Sequence, residues 1–433
     1  MKTKTEKTKQ GQKTSNINVW DVCVIGGGPA GLMSAGIAGK NGGKVILLEK
    51  NEIMGKKLLL TGGGRCNITN AEPDKRKFVS VFGKRGSVLF SPLSVFGVDD
   101  TIRFFEGLGL KTKVEPGFRV FPQSDKSLDV LGVLVSFAKN NGVQFKLDAE
   151  VSLIKKNENK IESVILKSGE EVKAKNFILA TGGLSRPDTG STGDGFKWLK
   201  KLGHNIVDPN PSLVPIKIKE EWISELAGIT LENIGISVYQ NNEKLISKKG
   251  RLLFTHEGIS GPTVLNMSKD VGELLKNGPV KISLDFFSGS GLDVMNQRLL
   301  KAFENNQNKK IKNIILEDVP AKIFQKVLED LEIDGDWYSN EITKEERYSI
   351  IEKMKKFEFE VDSLAGYDKA IVSSGGVDLD EVDFKTMSSK LYSNLFLIGD
   401  ILNFDRNSGG YSLQLCWTTG YIAGKSAMIN INN

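Results

Sequence analysis

Three stretches of bare backbone carry the chemistry legible in this chain. "GGGPAGL" contains Gly26-x-Gly28-x-x-Gly31, "TGGGRCN" begins about 35 residues later at Thr61, and Gly409-Gly410 sits in "NSGGYSLQ". In the first, Gly26 permits a tight turn, Gly28 admits a pyrophosphate to the backbone, and Gly31 lets a helix pack closely on a strand. The helix opening at Pro29-Ala30 offers free N–H groups and a partial positive charge to phosphate. Glu49 stands 21 residues after Gly28. A carboxylate there accepts hydrogen bonds from an adenosine ribose and repels a 2′-phosphate. The pattern predicts a dinucleotide site; the competing reading is a glycine-rich turn with no ligand.

Those residues need a particular scaffold. "DVCVIG" is a short apolar run suited to a buried parallel strand. "AGLMSAGIAGK" has small residues at helical spacing, and "KVILLEK" is a second buried strand. Together they predict a strand–turn–helix–strand unit of an α/β fold. "DDTIRFFEGLGL" reads as an amphipathic helix, "TKVEPGFRVFPQ" as a hairpin turning at Pro116-Gly117, and "KSLDVLGVLVSFAKNNG" as a helix stopped by Asn141-Gly142. "NFILATGG" and "NLFLIGD" are further buried strands. Between them the chain changes character. "SLVPIKIK", "NIGISVYQ", "KLISKKGRLLFTH" and "VKISLDFF" alternate as β segments, and "VMNQRLLKAFENN", "PAKIFQKVLEDLE" and "EERYSIIEKMKKF" are helical. The expected organisation is a basic tail over 1–17 and a dinucleotide domain made of 18–195 and 362–430. An insert over 196–361 interrupts it, barrel-like over about 205–290 and 357–361 and helical over about 291–356.

Composition narrows the class. Of 433 residues, 39% are apolar and 26% charged, as in globular proteins, and no apolar run is long enough for a membrane span. The first 16 residues carry five lysines and one glutamate, so most of the net charge of +6 sits there. The tail reads as disordered and not as a secretory signal. The remaining body is nearly neutral, which argues against a nucleic-acid partner. A cytoplasmic location follows as the default. Cys23, Cys66 and Cys416 form no CxxC, which disfavours a disulfide framework, a zinc site and a dithiol mechanism; all three read as packing residues, and no metal is expected. His204 reads as a surface or capping residue. His256, in "FTHEGISGP", anchors a loop or acts as an acid–base group facing the cofactor.

"DVCVIGGGPAGL", "NFILATGG" and "NLFLIGD" together resemble the glutathione-reductase-type FAD fold, a Rossmann-like domain. A closer resemblance is to the BaiN/RdsA-type bacterial NAD(P)/FAD-dependent oxidoreductases, which include enzymes described as aminoacetone oxidase and 3-dehydro-bile-acid reductase. "GKKLLLTGGGRCNITN", "FRVFPQSDKSLDVL", "LATGGLSRPDTGSTGDGFKWLKKLGH", "LLFTHEGISGPTVL" and "NSGGYSLQLCWTTGYIAG" carry it, with shorter matches between, from Asp21 to about Ser426. The chain departs from that family at Arg186, where tyrosine is common, at Asp400, where glutamate is usual, and at Ser412, where asparagine is usual.

The resemblance implies where FAD would lie. The first turn (Gly26, Gly28, Pro29, Ala30, Gly31), with Glu49, Lys50, Lys56 and Val151, would hold the adenosine pyrophosphate half. Ala180, Thr181, Gly182, Gly399 and Asp400 would line the pyrophosphate and ribityl region. Gly63 and Gly64 would run bare beside the ring, with Arg65, Cys66 and Asn67 around it. Gly409, Gly410, Tyr411, Ser412, Leu413 and Gln414 would open a helix at the flavin N1–C2=O edge, with the N–H groups of 412–414 as donors. Tyr411, His256 and Arg65 are the candidate catalytic residues, Tyr411 through contact with substrate and Arg65 by balancing phosphate or flavin charge. The implied activity is hydride transfer between a small organic substrate and flavin N5, with O2 reoxidising the flavin or NAD(P)H docking transiently to reduce it. The competing readings are a tRNA- or nucleic-acid-directed FAD enzyme and a non-catalytic flavin-binding protein. The "FTHEGISGP" turn is expected near the wall of the substrate site.

Overall fold

The computed structural model describes residues 19–314, 316 and 319–432. The expected tail over 1–17 lies outside them. Five parallel strands form the centre of the larger layer, in the order Leu395–Leu397, Glu171–Leu179, β1 (Trp20–Ile25), β2 (Val45–Leu48) and Gln144–Lys146. Val22 to Ile25 lie beside Val45 to Leu48, and all four residues of β2 are buried. A strand covered on both faces has no polar side to alternate with, hence the continuous apolar runs. An antiparallel meander, Val151–Asn157 and Lys160–Leu166, continues from Glu171–Leu179.

Helix α1 (Pro29–Lys40) follows β1, with Pro29 presetting its first turn. It packs on the C-terminal helix Tyr411–Asn432 and on the helix Ser127–Asn140. Small residues make this possible: a Cβ at Gly424 would stand 2.4 Å from the Ser34 carbonyl oxygen. The amphipathic helix Val98–Gly107 and the hairpin Thr112–Glu115/Arg119–Pro122 form where the pattern and the Pro-Gly turn place them.

The second region is a closed six-stranded barrel: Ile216–Ile218, Gly258–Ser260, Glu243–Thr255, Thr230–Gln240, Lys281–Asp285 and Phe357–Leu364. Leu231, Ile234, Ile236 and Val238 face its core, separate from that of the parallel sheet. The helices Leu292–Glu304, Ala321–Asp330 and Lys344–Lys355 are inserted before the closing strand. The strands Ile206–Ser212 and Val372–Val377 pair antiparallel and carry the chain out and back.

Two expected boundaries move. The helix Asp194–Lys201 begins where the first domain was expected to end, yet Phe196 and Leu199 bury in the parallel-sheet core. The barrel closes only at Leu364, because Leu364 still pairs with Ile216. The barrel helix Pro262–Leu275 touches the first region: Lys269 Nζ donates to Asp405 at 2.6 Å, and Asn266 accepts from the Ser408 N–H at 2.9 Å.

Candidate cofactor and active site

A deep cleft runs along the carboxyl ends of the parallel strands. Ile25 and Gly26 close β1 there, Leu48 and Glu49 close β2, and Ala180 and Ile398 follow two further strands. This is the general ligand position in open α/β sheets. Of the residues predicted from sequence, Gly26, Gly28, Pro29, Ala30, Glu49, Lys50, Lys56, Val151, Ala180, Thr181, Gly182, Gly399, Asp400, Ser412 and Leu413 line it.

Two helix N-termini converge on the cleft. In α1 the first backbone bond is Leu32 N–H to Gly28 O, so the Ala30 and Gly31 N–H groups precede it. In the C-terminal helix the first is Gln414 N–H to Gly410 O at 3.1 Å. The Gln414 N–H is therefore occupied, which corrects its expected role as a donor; the N–H groups of Ser412 and Leu413 precede that bond.

One end of the cleft is tightly tied. Glu49 accepts from the Gly27 N–H at 2.7 Å through one oxygen, and from the Asn51 N–H and side-chain amide at 2.9 and 2.7 Å through the other. It latches the glycine turn as well as lining the cleft. Lys50 donates to Thr192 at 2.6 Å and to Asp194 at 3.0 Å. Burial alone would raise the Asp194 carboxyl; hydrogen bonds from Thr192, Lys50 and Lys197 outweigh it and bring its pKa down to about 2.

The other end holds two groups that sequence reasoning missed. Arg406 is buried and donates to Asp400 at 2.6 Å, to Ser412 at 2.8 Å and to the Phe404 carbonyl at 2.9 Å. A lone arginine in "NFDRNSGG" gives no signal of burial; only the fold supplies its three acceptors. Lys57, neighbour of the predicted Lys56, lines the cleft and donates to Ser185 Oγ at 3.2 Å. Burial pushes its ammonium pKa down, against the pull of Asp400. Lys57 is half-buried.

The remaining predicted residues stand behind or away from the cleft. Gly31 packs against the Gly26 carbonyl. Gly63 and Gly64 do not line the cleft, and Arg65 turns from it, bound by Glu115 and Asp125 and stacked 4.1 Å from the Phe121 ring centre. That arrangement corrects its expected role beside the ring, because both carboxylates already neutralise the guanidinium. Cys66 is buried, and burial pushes its thiol up to about 12. Cys416 does line the cleft, but burial raises its thiol too. Gly409 and Gly410 pack on Asn70 and Thr69, and Tyr411 packs on Phe78 and Phe82. His256 sits exposed in the two-residue turn between paired Thr255 and Gly258, outside the cleft lining. The "FTHEGISGP" turn therefore stitches the barrel. His204 is buried, not superficial, between Glu381 at 2.7 Å and Ser389 at 3.1 Å.

The residues present fit a dinucleotide flavin. A Cβ at Gly28 would meet no protein atom within 4 Å, so the turn leaves open space there. Thr181 Oγ1, on a residue that lines the cleft, is buried with no partner among the described residues, and so is Asn67 Oδ1.

Comparison with known proteins agrees. The family model described as HI0933-like protein Rossmann domain matches residues 20–426. The chain is 30% identical over 411 residues to a 3-dehydro-bile acid delta(4,6)-reductase of Clostridium scindens, spanning 93% of this chain and 98% of that one. It is 28% identical over 402 residues to a ribosomal RNA dihydrouridine synthase of Haemophilus influenzae, spanning 92% and 96%. In fold it is similar to a 3-ketosteroid-delta4-(5alpha)-dehydrogenase from Rhodococcus jostii, with a TM-score of 0.55 at 13% identity over 96% of this chain and 98% of that one. Among the described residues no helix is long and apolar enough to cross a membrane.

Proposed function

Because this chain belongs to the HI0933-like family of FAD-dependent oxidoreductases, we propose that it reduces a carbon–carbon double bond conjugated to a carbonyl, with FAD held in the cleft. Bound there, FAD supplies the hydride to the substrate carbon. The observation that carries this reading is one cleft shared by both helix N-termini, at the strand ends, lined also by Lys369 to Val372 where the chain returns from the barrel.

The chain's own groups have separable tasks. The Ala30 N–H and the open backbone at Gly28 hold the pyrophosphate, and Glu49 keeps their turn in shape. The Ser412 and Leu413 N–H groups meet the carbonyl edge of the ring and favour negative charge on it. The Lys57 ammonium adds a positive charge nearby, and the Asp400–Arg406 pair fixes the segment between them. Cys23, Cys66 and Cys416 are buried and unpaired, so the chain contains no thiol relay. A delta(4,6)-reductase and a dihydrouridine synthase each saturate a double bond conjugated to a carbonyl, which favours the reductase direction over an oxidase. Electrons enter from NAD(P)H docking transiently, since the sequence has one dinucleotide turn.

Anaerobic stopped-flow tests this. The flavin is reduced with NADH or NADPH, then mixed with steroid enones, uridine or O2-containing buffer, and the oxidised enzyme is mixed separately with aminoacetone. Reoxidation by an enone or by uridine, with no flavin reduction by aminoacetone, is expected. Reoxidation by O2 alone, with rapid reduction by the amine, would sink the reductase reading. The ribosomal RNA dihydrouridine synthases among the relatives favour a second reading, a uridine within RNA as the substrate. Filter binding to ribosomal RNA fragments over a salt series discriminates, because true phosphate contacts weaken steeply with salt.

A further inference from the structure

We propose that Lys56, Arg186 and Lys369 form a cationic rim on the cleft that accepts an anionic group, a carboxylate or a phosphate monoester, carried by the substrate. The proposal rests on the double-bond reductase reading and narrows its substrate class.

The argument is one of unmatched charge. All three residues line the cleft, and Lys56 and Lys369 are exposed at its surface. Each carboxylate that lines the cleft already has its partners. Glu49 is held by Gly27 and Asn51, Glu150 by Lys167 at 2.8 Å, Asp194 by Lys50, and Asp400 by Arg406. By contrast, among the described residues Lys56 and Lys369 make no ion pair. Arg186 is held by Asp188 through Nε at 2.9 Å and Nη2 at 2.7 Å, which fixes the guanidinium plane and leaves Nη1 without a partner among the described residues. Asp188 and Asp368 lie close by and offset part of the surplus.

The rim adds to the charges that serve the cofactor, and Arg186 stands within electrostatic reach of Lys57. The glycine turn and the α1 N-terminus already serve a pyrophosphate. Lys57 lies deeper, near Asp400 and Cys416. Arg186 is tied to the segment returning from the barrel, its N–H donating to the Tyr367 carbonyl at 2.9 Å, two residues before Lys369. An ion held by a guanidinium and two ammonium groups gains charge-assisted hydrogen bonds, which are stronger than neutral ones.

The test uses the oxidised flavin-loaded enzyme and pairs of probes that differ in charge: 3-oxochol-4-enoic acid against its methyl ester, and uridine 5′-monophosphate against uridine. Binding is followed by perturbation of the flavin absorbance. The charged member of at least one pair is expected to bind about tenfold tighter, and the pair that responds identifies carboxylate or phosphate as the source. The double variant Arg186→Gln/Lys369→Gln, with flavin content unchanged, is expected to lose that preference and keep the neutral probe's affinity within about twofold. Equal affinities within both pairs, no binding of either charged probe, or a preference that survives the double substitution overturns the proposal. Loss of flavin from the variant also overturns it, since the rim would then belong to the cofactor. Single-turnover reoxidation by the same probes reports on the reaction separately: a charge preference without reoxidation sinks the reductase reading and leaves the rim standing.

Discussion

The two early glycine runs look alike as text and differ as structure. At Gly26 and Gly31 glycine is demanded by space, and at Gly26 by a φ of 107° as well. A Cβ at Gly26 would stand 2.5 Å from the Ala180 carbonyl oxygen, and one at Gly31 only 1.9 Å from the Gly26 carbonyl oxygen. At Gly63 and Gly64 nothing lies within 4 Å of the missing Cβ, and glycine is demanded by conformation, with φ of 67° and 87°. The first run is the meeting point of a strand, a helix and the cleft. The second is a turn whose following residue, Arg65, is anchored outward to Glu115 and Asp125. A shared composition therefore conceals two requirements, and substitution separates them.

The largest effect is expected at Gly31. Gly31→Ala forces backbone against backbone in the turn, which costs more than about 3 kcal/mol because neither atom can move aside. Thermal unfolding should drop sharply and the purified protein should be colourless; a yellow variant with unchanged melting would refute the spatial reading of the first run. Gly28→Val is the companion case. Its side chain meets no protein atom, so the fold survives, but it fills the pyrophosphate's approach, and flavin content should fall below about a tenth of wild type. Identification of the released cofactor from wild type as FMN would undercut both.

The anchors of the two runs differ in the same way. Beyond the first, Lys50 and Asp194 are only about a quarter exposed; at the second, Arg65 and Asp125 are more open to water. The Asp194 pKa is depressed on folding to about 2, so its contribution is fully present above the unfolded carboxylate range and fades as pH falls through the folded value. Discounted for solvent, it is worth roughly 1 kcal/mol. Urea unfolding of Asp194→Asn against wild type should show that gap near pH 6 and a narrowing gap as pH falls below about 4. Asp125→Asn, at the exposed network, should show a smaller gap over the same range. A larger effect at Asp125 would reverse the ranking of the two anchors.

These differences explain what could be read from sequence. The first run was legible because strand, turn, helix and acid all fall within about 30 residues, each with a local signature. The barrel strands showed as alternation, though not where the barrel closes, since Leu364 is defined by its pairing with Ile216. The second run's surroundings were not legible. Glu115, Asp125 and Phe121 lie 50 to 60 residues from Arg65, so nothing near Arg65 reveals that its charge is already matched. Lys56 and Lys57 both lie in a turn ahead of the segment Leu58–Gly64, and no periodicity there says which lysine is the more buried. His256 looked chemical by residue type alone, and its position in a tight hairpin removes it from the cleft.

Conformational strain is expected to be milder than collision. Gly64→Ala places a Cβ in a left-handed backbone with open space around it, at a cost of about 1 kcal/mol. Urea unfolding should register that loss while flavin content stays full. A colourless Gly64→Ala protein would mean that the second run touches the cofactor as closely as the first.

The smallest effect is expected at Cys66, which follows the second run and is the residue there most open to a redox interpretation. Its thiol is buried, raised to about 12, and paired with no other cysteine. At neutral pH it is therefore protonated, and a protonated thiol is a poor nucleophile. Cys66→Ser keeps the shape and exchanges sulfur for oxygen. Flavin reduction by NAD(P)H should stay within about tenfold of wild type, a change of roughly 1.4 kcal/mol in the barrier. Cys416→Ser, in the cleft lining but equally desolvated, should behave alike. If Cys66→Ser retained its flavin and yet lost several orders of magnitude in reduction rate, the second run would carry chemistry as well as shape, and the contrast between the two runs would collapse at its most testable point.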